Sequence, residues 1–286
     1  MNVPQLSISR RTIGLAVAVI GTVSLAIGAH AALNMRALDA AKAIAAEQAT
    51  DASRRPSRVA LVIGNGHYPD ANAPLAQPIN DARGLTAALR KNGFDVDVIE
   101  DASKDDMVRA VARLKSRVRP DSVVMLFFGG YGIQVGRESY MIPVDATIWR
   151  ESDVRRNAIS IESVLDMMKE QGACAKLVVI DASRRNPYER RFRTYSHGLA
   201  PITAPDNALV LTSATPGKVA DDGKGAHSVL VSELLNNMKV QASLAETIFN
   251  KTRIAISRAS DGEQVPSVSS SLMEEVRLGG DEKAGS

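Results

Sequence analysis

Five short apolar runs constrain the fold of this 286-residue chain more than any other feature. Val59 to Ile63, Phe94 to Ile99, Val123 to Phe128, Leu177 to Ile180 and Leu209 to Leu211 read as strands. Most lack a polar residue at every second place, so both faces of those strands have to be covered. Between the runs, apolar residues recur at helical spacing. Leu85 and Leu89 form one stripe, Met107, Val111, Leu114 and Val118 a second, and Ile161, Val164, Leu165 and Met168 a third. A further stripe is Val231, Leu234, Leu235 and Met238, and Ser243-Leu244-Ala245-Glu246 has the form of a capping box opening the next helix. Strands alternating with crossover helices predict an α/β domain with a mainly parallel sheet flanked by helices. That class gathers functional groups at the carboxyl ends of its strands.

The flanking segments have a different character. Thr12 to Leu33 is mostly apolar and uncharged at neutral pH, and Arg10 and Arg11 precede it. This is the form of a secretory signal or of an N-terminal membrane anchor. Ala29-His30-Ala31 offers a small-x-small cleavage site, whereas the run is long enough to span a bilayer, so both readings stand. Residues 1–33 are thus expected to be a signal peptide or anchor, 34–57 a linker closed by Pro56, 58–279 the folded domain, and 280–286 a tail. The domain is expected in the periplasm or otherwise outside the cytoplasmic membrane, touching it only through the N-terminal segment if that is retained.

Charge and cysteine usage narrow the classes of function. A net charge of +3 with dispersed basic residues and few aromatics does not describe a nucleic-acid surface. The run from Arg184 to Arg193 holds five arginines and reads as a solvated loop. One cysteine, Cys174, excludes an internal disulfide framework and a multi-cysteine metal cluster, and fits a small hydrophobe better than a nucleophile. Asp221-Asp222-Gly223-Lys224-Gly225 lacks the spacing of a calcium loop. No metal and no cofactor are expected.

Three segments lie at strand ends, where a site belongs. Gly64-Asn65-Gly66-His67-Tyr68 follows the first strand, Gly129-Gly130-Tyr131-Gly132 the third, and Asp181-Ala182-Ser183-Arg184 the fourth. Glycines on both sides of Tyr131 permit positive φ and close backbone approach. Taken with Val62-Ile63-Gly64-Asn65, Pro78-Ile79-Asn80-Asp81-Ala82, Tyr140-Met141-Ile142-Pro143-Val144-Asp145, Gly198-Leu199-Ala200 and Gly262-Glu263-Gln264-Val265-Pro266, these segments resemble the caspase-like peptidases. The likeness is to the metacaspase and orthocaspase group of peptidase family C14, and it spans about residues 58 to 279. It implies the caspase-hemoglobinase fold and a cysteine-type endopeptidase ancestry.

The resemblance places Tyr131 where the family has its general-base His and Ser183 where it has its nucleophilic Cys. Both replacements point toward inactivity. An ordinary Tyr is about 0.1% ionised at pH 7, and a serine hydroxyl needs a strong neighbouring base because it has no useful ionised fraction. The resemblance also implies an acidic pocket for Arg or Lys, built from Asp81 and Asp181 and lined by Pro78 and Gly129. Two converging carboxylates repel until a cation arrives, which gives guanidinium binding an electrostatic reason. Asp81 equally suits a helix start without any ligand. The leading expectation is an exported pseudoprotease that binds a basic peptide or a protein partner, such as an active paralogue. One alternative is a hydrolase in which His67 or an ionised Tyr131 activates Ser183. Another is a structural periplasmic module whose pocket stays empty.

Overall fold

A computed structural model describes residues 42, 56–71, 74–192, 198–220, 225–240 and 243–278. The chain divides into two compact units, Met1–Arg55 and Pro56–Ser286, and the second holds the domain. The expected signal peptide or anchor, nearly all of the linker, and the 280–286 tail lie outside the described residues. Among the described residues no helix is long and apolar enough to cross a membrane.

The domain starts with strand β1 (Arg58–Gly64), helix α1 (Pro78–Lys91), β2 (Asp95–Glu100), α2 (Lys104–Arg117) and β3 (Val123–Gly129). A small antiparallel sheet follows from β4 (Gly132–Val135), β5 (Glu138–Met141) and β6 (Ile159–Ser160), with α3 (Glu151–Asn157) inserted before β6. The chain continues through α4 (Ile161–Glu170), β7 (Ala175–Asp181), β8 (Ala208–Thr212), α5 (Val229–Met238), α6 (Ala245–Ala259) and β9 (Ser267–Ser270). The main sheet has the order β2-β1-β3-β7-β8-β9, parallel except for β9.

The continuous apolar runs are explained by two cores, one on each face. Ala60 and Val62 of β1, with Leu209 and Leu211 of β8, pack with residues of α1, α5 and α6. Val59, Leu61 and Ile63, with Val210, pack with residues of α2 and α4. The inner strands β1, β3, β7 and β8 therefore spend alternate side chains on opposite cores, and neither of their faces is free for polar residues. After β2 the chain crosses back over β1 to β3, so β1 and β3 form the switch point of the sheet. There the last residues of three strands fall in one row, Gly64 beside Gly129 and Gly129 beside Asp181. All three expected site segments thus converge on the edge where open α/β sheets hold their ligands.

Helix boundaries follow local chemistry, with one correction. Ser103 and Asp106 form a capping box on α2, and Ser160 and Ser228 cap α4 and α5 by accepting from the N–H three residues on. Ser243 does not cap the next helix. Its carbonyl accepts from Leu278, Leu244 bridges Arg277, and α6 begins at Ala245 without a side-chain cap. Glu246 accepts instead from the Ser270 hydroxyl. The C-terminal segment claims the backbone and side chain that a capping box would have used.

Candidate functional site

The corner after β3 and the turn after β7 are stitched together by backbone. Gly130 N–H donates to the Asp181 carbonyl at 3.3 Å, and Gly132 N–H to the Ala182 carbonyl at 3.1 Å. Tyr131 and Ser183, the positions matched to the family dyad, are therefore brought to the ends of neighbouring strands. The glycines serve close approach and not positive φ, which occurs at other glycines but at none of Gly129, Gly130 and Gly132. A Cβ on Gly130 would lie 2.5 Å from the Tyr68 hydroxyl, and one on Gly132 would lie 2.6 Å from Leu199.

Tyr131 is buried in an aromatic cluster. Its ring meets Tyr68 edge-on with centroids 4.8 Å apart, and its N–H donates to the Tyr68 hydroxyl at 3.0 Å. That hydroxyl in turn donates to the Ile142 carbonyl. Burial pushes the Tyr68 phenol well above its ordinary range, and burial followed by the Asp70 charge pushes Tyr188, of the same cluster, up to about 12. Both of these neighbouring phenols are thereby held in the neutral form near pH 7.

Ser183 sits in a tight turn in which Arg184 N–H returns to the Ala182 carbonyl at 2.8 Å. Its own N–H donates to Ser213 Oγ and its carbonyl accepts from Ala220. The hydroxyl is buried and has no hydrogen-bond partner among the described residues. Neither Tyr131 nor a described histidine is in hydrogen-bond contact with it. His67, the sequence candidate for that base, is solvent-exposed and bonds Asp101 Oδ2 through Nδ1 at 2.5 Å. Burial acts upward on Asp101, but the N–H groups of His67 and Gly66 and the His67 ring outweigh it and hold the carboxyl below its usual range. His67 is thereby committed to the loop after β2, whereas β3 stands between β1 and the Ser183 strand. His197 lies outside the described residues.

The acidic residues do come together, in a closed form. Asp81, in the first turn of α1, is fully buried. Its carboxylate accepts from His227 Nδ1 at 2.9 Å and from the Ser228 N–H at 3.1 and 3.3 Å. Burial, reinforced by the charge of Asp181, pushes Asp81 up to about 6 against the bonds from His227 and Ser228. Asp181 is buried with one oxygen lacking any partner among the described residues, while the other faces the Arg184 guanidinium at 3.8 Å. Pro78 and Gly129 meet at the edge of this region, where a Cβ on Gly129 would lie 3.4 Å from Pro78 Cβ.

Arg184 departs from the solvated-loop expectation, being buried and donating to the Gly130 and Asp181 carbonyls. It ties the two corners together, whereas Arg185 and Arg190 of the same run are exposed. His227 is the residue that sequence reasoning missed. The available signal was a histidine directly before a Ser-headed helix, with nothing local to name Asp81 as its partner. Cys174 is half-buried at the amino end of β7, and burial raises its thiol. No cluster of three or more metal-ligating side chains occurs among the described residues.

A family model for the caspase domain, Peptidase_C14, matches residues 57–277. The chain belongs to this caspase-domain family. The chain is similar to mucosa-associated lymphoid tissue lymphoma translocation protein 1 of Homo sapiens. The identity is 30% over 144 residues, covering 50% of this chain and 17% of that protein. The Mus musculus homologue is 29% identical over 133 residues, covering 46% and 16% respectively. The chain thus spans about a sixth of the length of the curated relatives it matches.

Proposed function

We propose that this caspase domain is an exported pseudoprotease that binds Arg- or Lys-containing peptide segments of a partner without cutting them. The observation that carries the loss of chemistry is the Ser183 hydroxyl, buried without a hydrogen-bond partner among the described residues. Attack on a carbonyl requires removal of the hydroxyl proton, and no described acceptor stands in place to take it. Retention of binding is supported by Asp81 and Asp181, which stay close enough for one charge to raise the other. Export is supported by Arg10 and Arg11 ahead of the uncharged Thr12 to Leu33 segment. A structural module is the second reading, favoured by the complete burial of Asp81.

Initial rates on an Arg-ending fluorogenic peptide test the catalytic half. Wild type, Tyr131→His and Ser183→Cys should give no turnover, and the double variant detectable Arg-directed cleavage. A positioned base contributes about 10²- to 10⁴-fold, and members of one catalytic unit act non-additively. Wild-type turnover that vanishes in Ser183→Ala would overturn the pseudoprotease reading. Export is tested by a reporter active only outside the cytoplasm, fused after Ser286. Reporter activity supports the assignment, and activity of a cytoplasmic reporter in its place defeats it.

A further inference from the structure

We infer that His227 is a displaceable internal ligand of the acidic pocket, which a peptide guanidinium must push off Asp81 in order to bind. The inference rests on the peptide-binding reading and adds its regulation. Asp81 has no exposed surface, whereas the His227 side chain bonded to it is 32% exposed. The imidazole thus stands on the solvent side of the carboxylate, in the place an incoming cation would take. The segment carrying it is tied to α1 at a second point, where Asn80 Nδ2 donates to the Ala226 carbonyl at 3.3 Å.

Three further features suit displacement better than a permanent clip. The ring lies close against α1 only because residue 84 is glycine, since a Cβ there would meet His227 Cε1 at 2.9 Å. Beyond the ring an open groove of about 640 Å³ runs between α1 and α5, with His227 among its lining residues, so the ring has somewhere to go. Asp181 also keeps one buried oxygen without a described partner, an acceptor that the closed form leaves unused.

Charge complementarity favours the exchange. Asp81 is faced by Asp181 from β7 and by His227 and the Ser228 N–H from the start of α5, and Asp181 is faced by Arg184. With His227 neutral, these four side chains carry one net negative charge, which a guanidinium neutralises.

The test measures binding of fluorescein-labelled peptides ending in Arg or in Ala to the full chain at pH 8. His227→Ala should tighten the Arg peptide about tenfold or more, and Gly84→Ala, which pushes the ring aside, should move affinity the same way. His227→Arg supplies a permanent internal guanidinium and should abolish binding while keeping the α1–α5 contact. The Ala-ending peptide should bind none of them. Equal Arg-peptide affinity in wild type, His227→Ala and Gly84→Ala overturns displacement and leaves peptide binding standing. Absence of binding in every variant overturns the peptide-binding reading and displacement with it. If His227→Ala fails to fold, Gly84→Ala and His227→Arg still decide, because a mere structural clip would alter melting without moving affinity in opposite directions.

Discussion

Asp81 is a carboxyl group that the fold makes harder to ionise. Burial first, and the neighbouring Asp181 charge second, push it up to about 6, from an ordinary carboxyl value of about 3.9. Between those values the folded protein holds the proton that the unfolded chain has released. Stability from this group is therefore present below about pH 4 and is lost as pH rises through about 6, the reverse of a salt-bridged carboxylate. A shift of this size corresponds to on the order of 2–3 kcal/mol. Relative to wild type, Asp81→Asn should gain stability by that order between about pH 4.5 and pH 7, measured by denaturant unfolding at both values. A difference that stays constant with pH would contradict the assignment. The same residue marks the limit of reading a site from sequence. Asp81, Asp181, Tyr131 and Ser183 could be named as candidates because the family resemblance runs through local motifs at strand and helix ends. His227 was not, because its partner is 146 positions away and no local pattern joins a helix-start histidine to a first-turn aspartate.

At the scale of elements, the buried strands and amphipathic helices were legible and the sheets' margins were not. β1, β3, β7 and β8 declare themselves by continuous apolar runs, since both their faces are covered. Strands β4 to β6 and β9 are short and carry Gly, Gln, Glu and several Ser, so their pairing depends on tertiary contacts more than on composition. The Tyr131 corner was expected on the strength of glycines that permit positive φ and close approach, and the fold uses only the second. Gly130 has no Cβ because Tyr68 and Phe128 occupy the space, with atoms 2.5 and 2.8 Å from where one would sit. Gly130→Ala should accordingly destabilise the domain by about 1–3 kcal/mol, since the rigid rings on two elements must shift. Chemical denaturation checks the size. Near-ultraviolet circular dichroism should change as the Tyr68–Tyr131 pair is displaced. A neutral effect on both would mean that the corner relaxes freely.

For the whole molecule, the domain boundaries make a claim about which residues the fold needs. Among the described residues, the members of both cores lie within the segment that opens at Pro56 and ends at Leu278. The opening is fastened where Val123 N–H donates to the Ser57 carbonyl at 2.8 Å, alongside the first residues of β1. The closing is fastened more firmly. Val276 and Leu278 are buried in the core beneath α5 and α6, Ala245 N–H donates to the Val276 carbonyl at 2.7 Å, and Leu278 N–H donates to the Ser243 carbonyl at 3.0 Å. A fragment of residues 56–278 should therefore unfold in one cooperative step at the denaturant midpoint of the longer fragment 56–286. Ending the chain after Glu275 removes both buried anchors at once. Each buried aliphatic side chain is worth about 1.5–3 kcal/mol, so a 56–275 fragment should lose roughly 3–6 kcal/mol against 56–278. That is a large part of the roughly 5–15 kcal/mol typical of a domain, enough to leave the shorter fragment partly unfolded without denaturant. Equal midpoints for 56–275 and 56–278 would show that the C-terminal segment is an appendage and that the fold closes at β9.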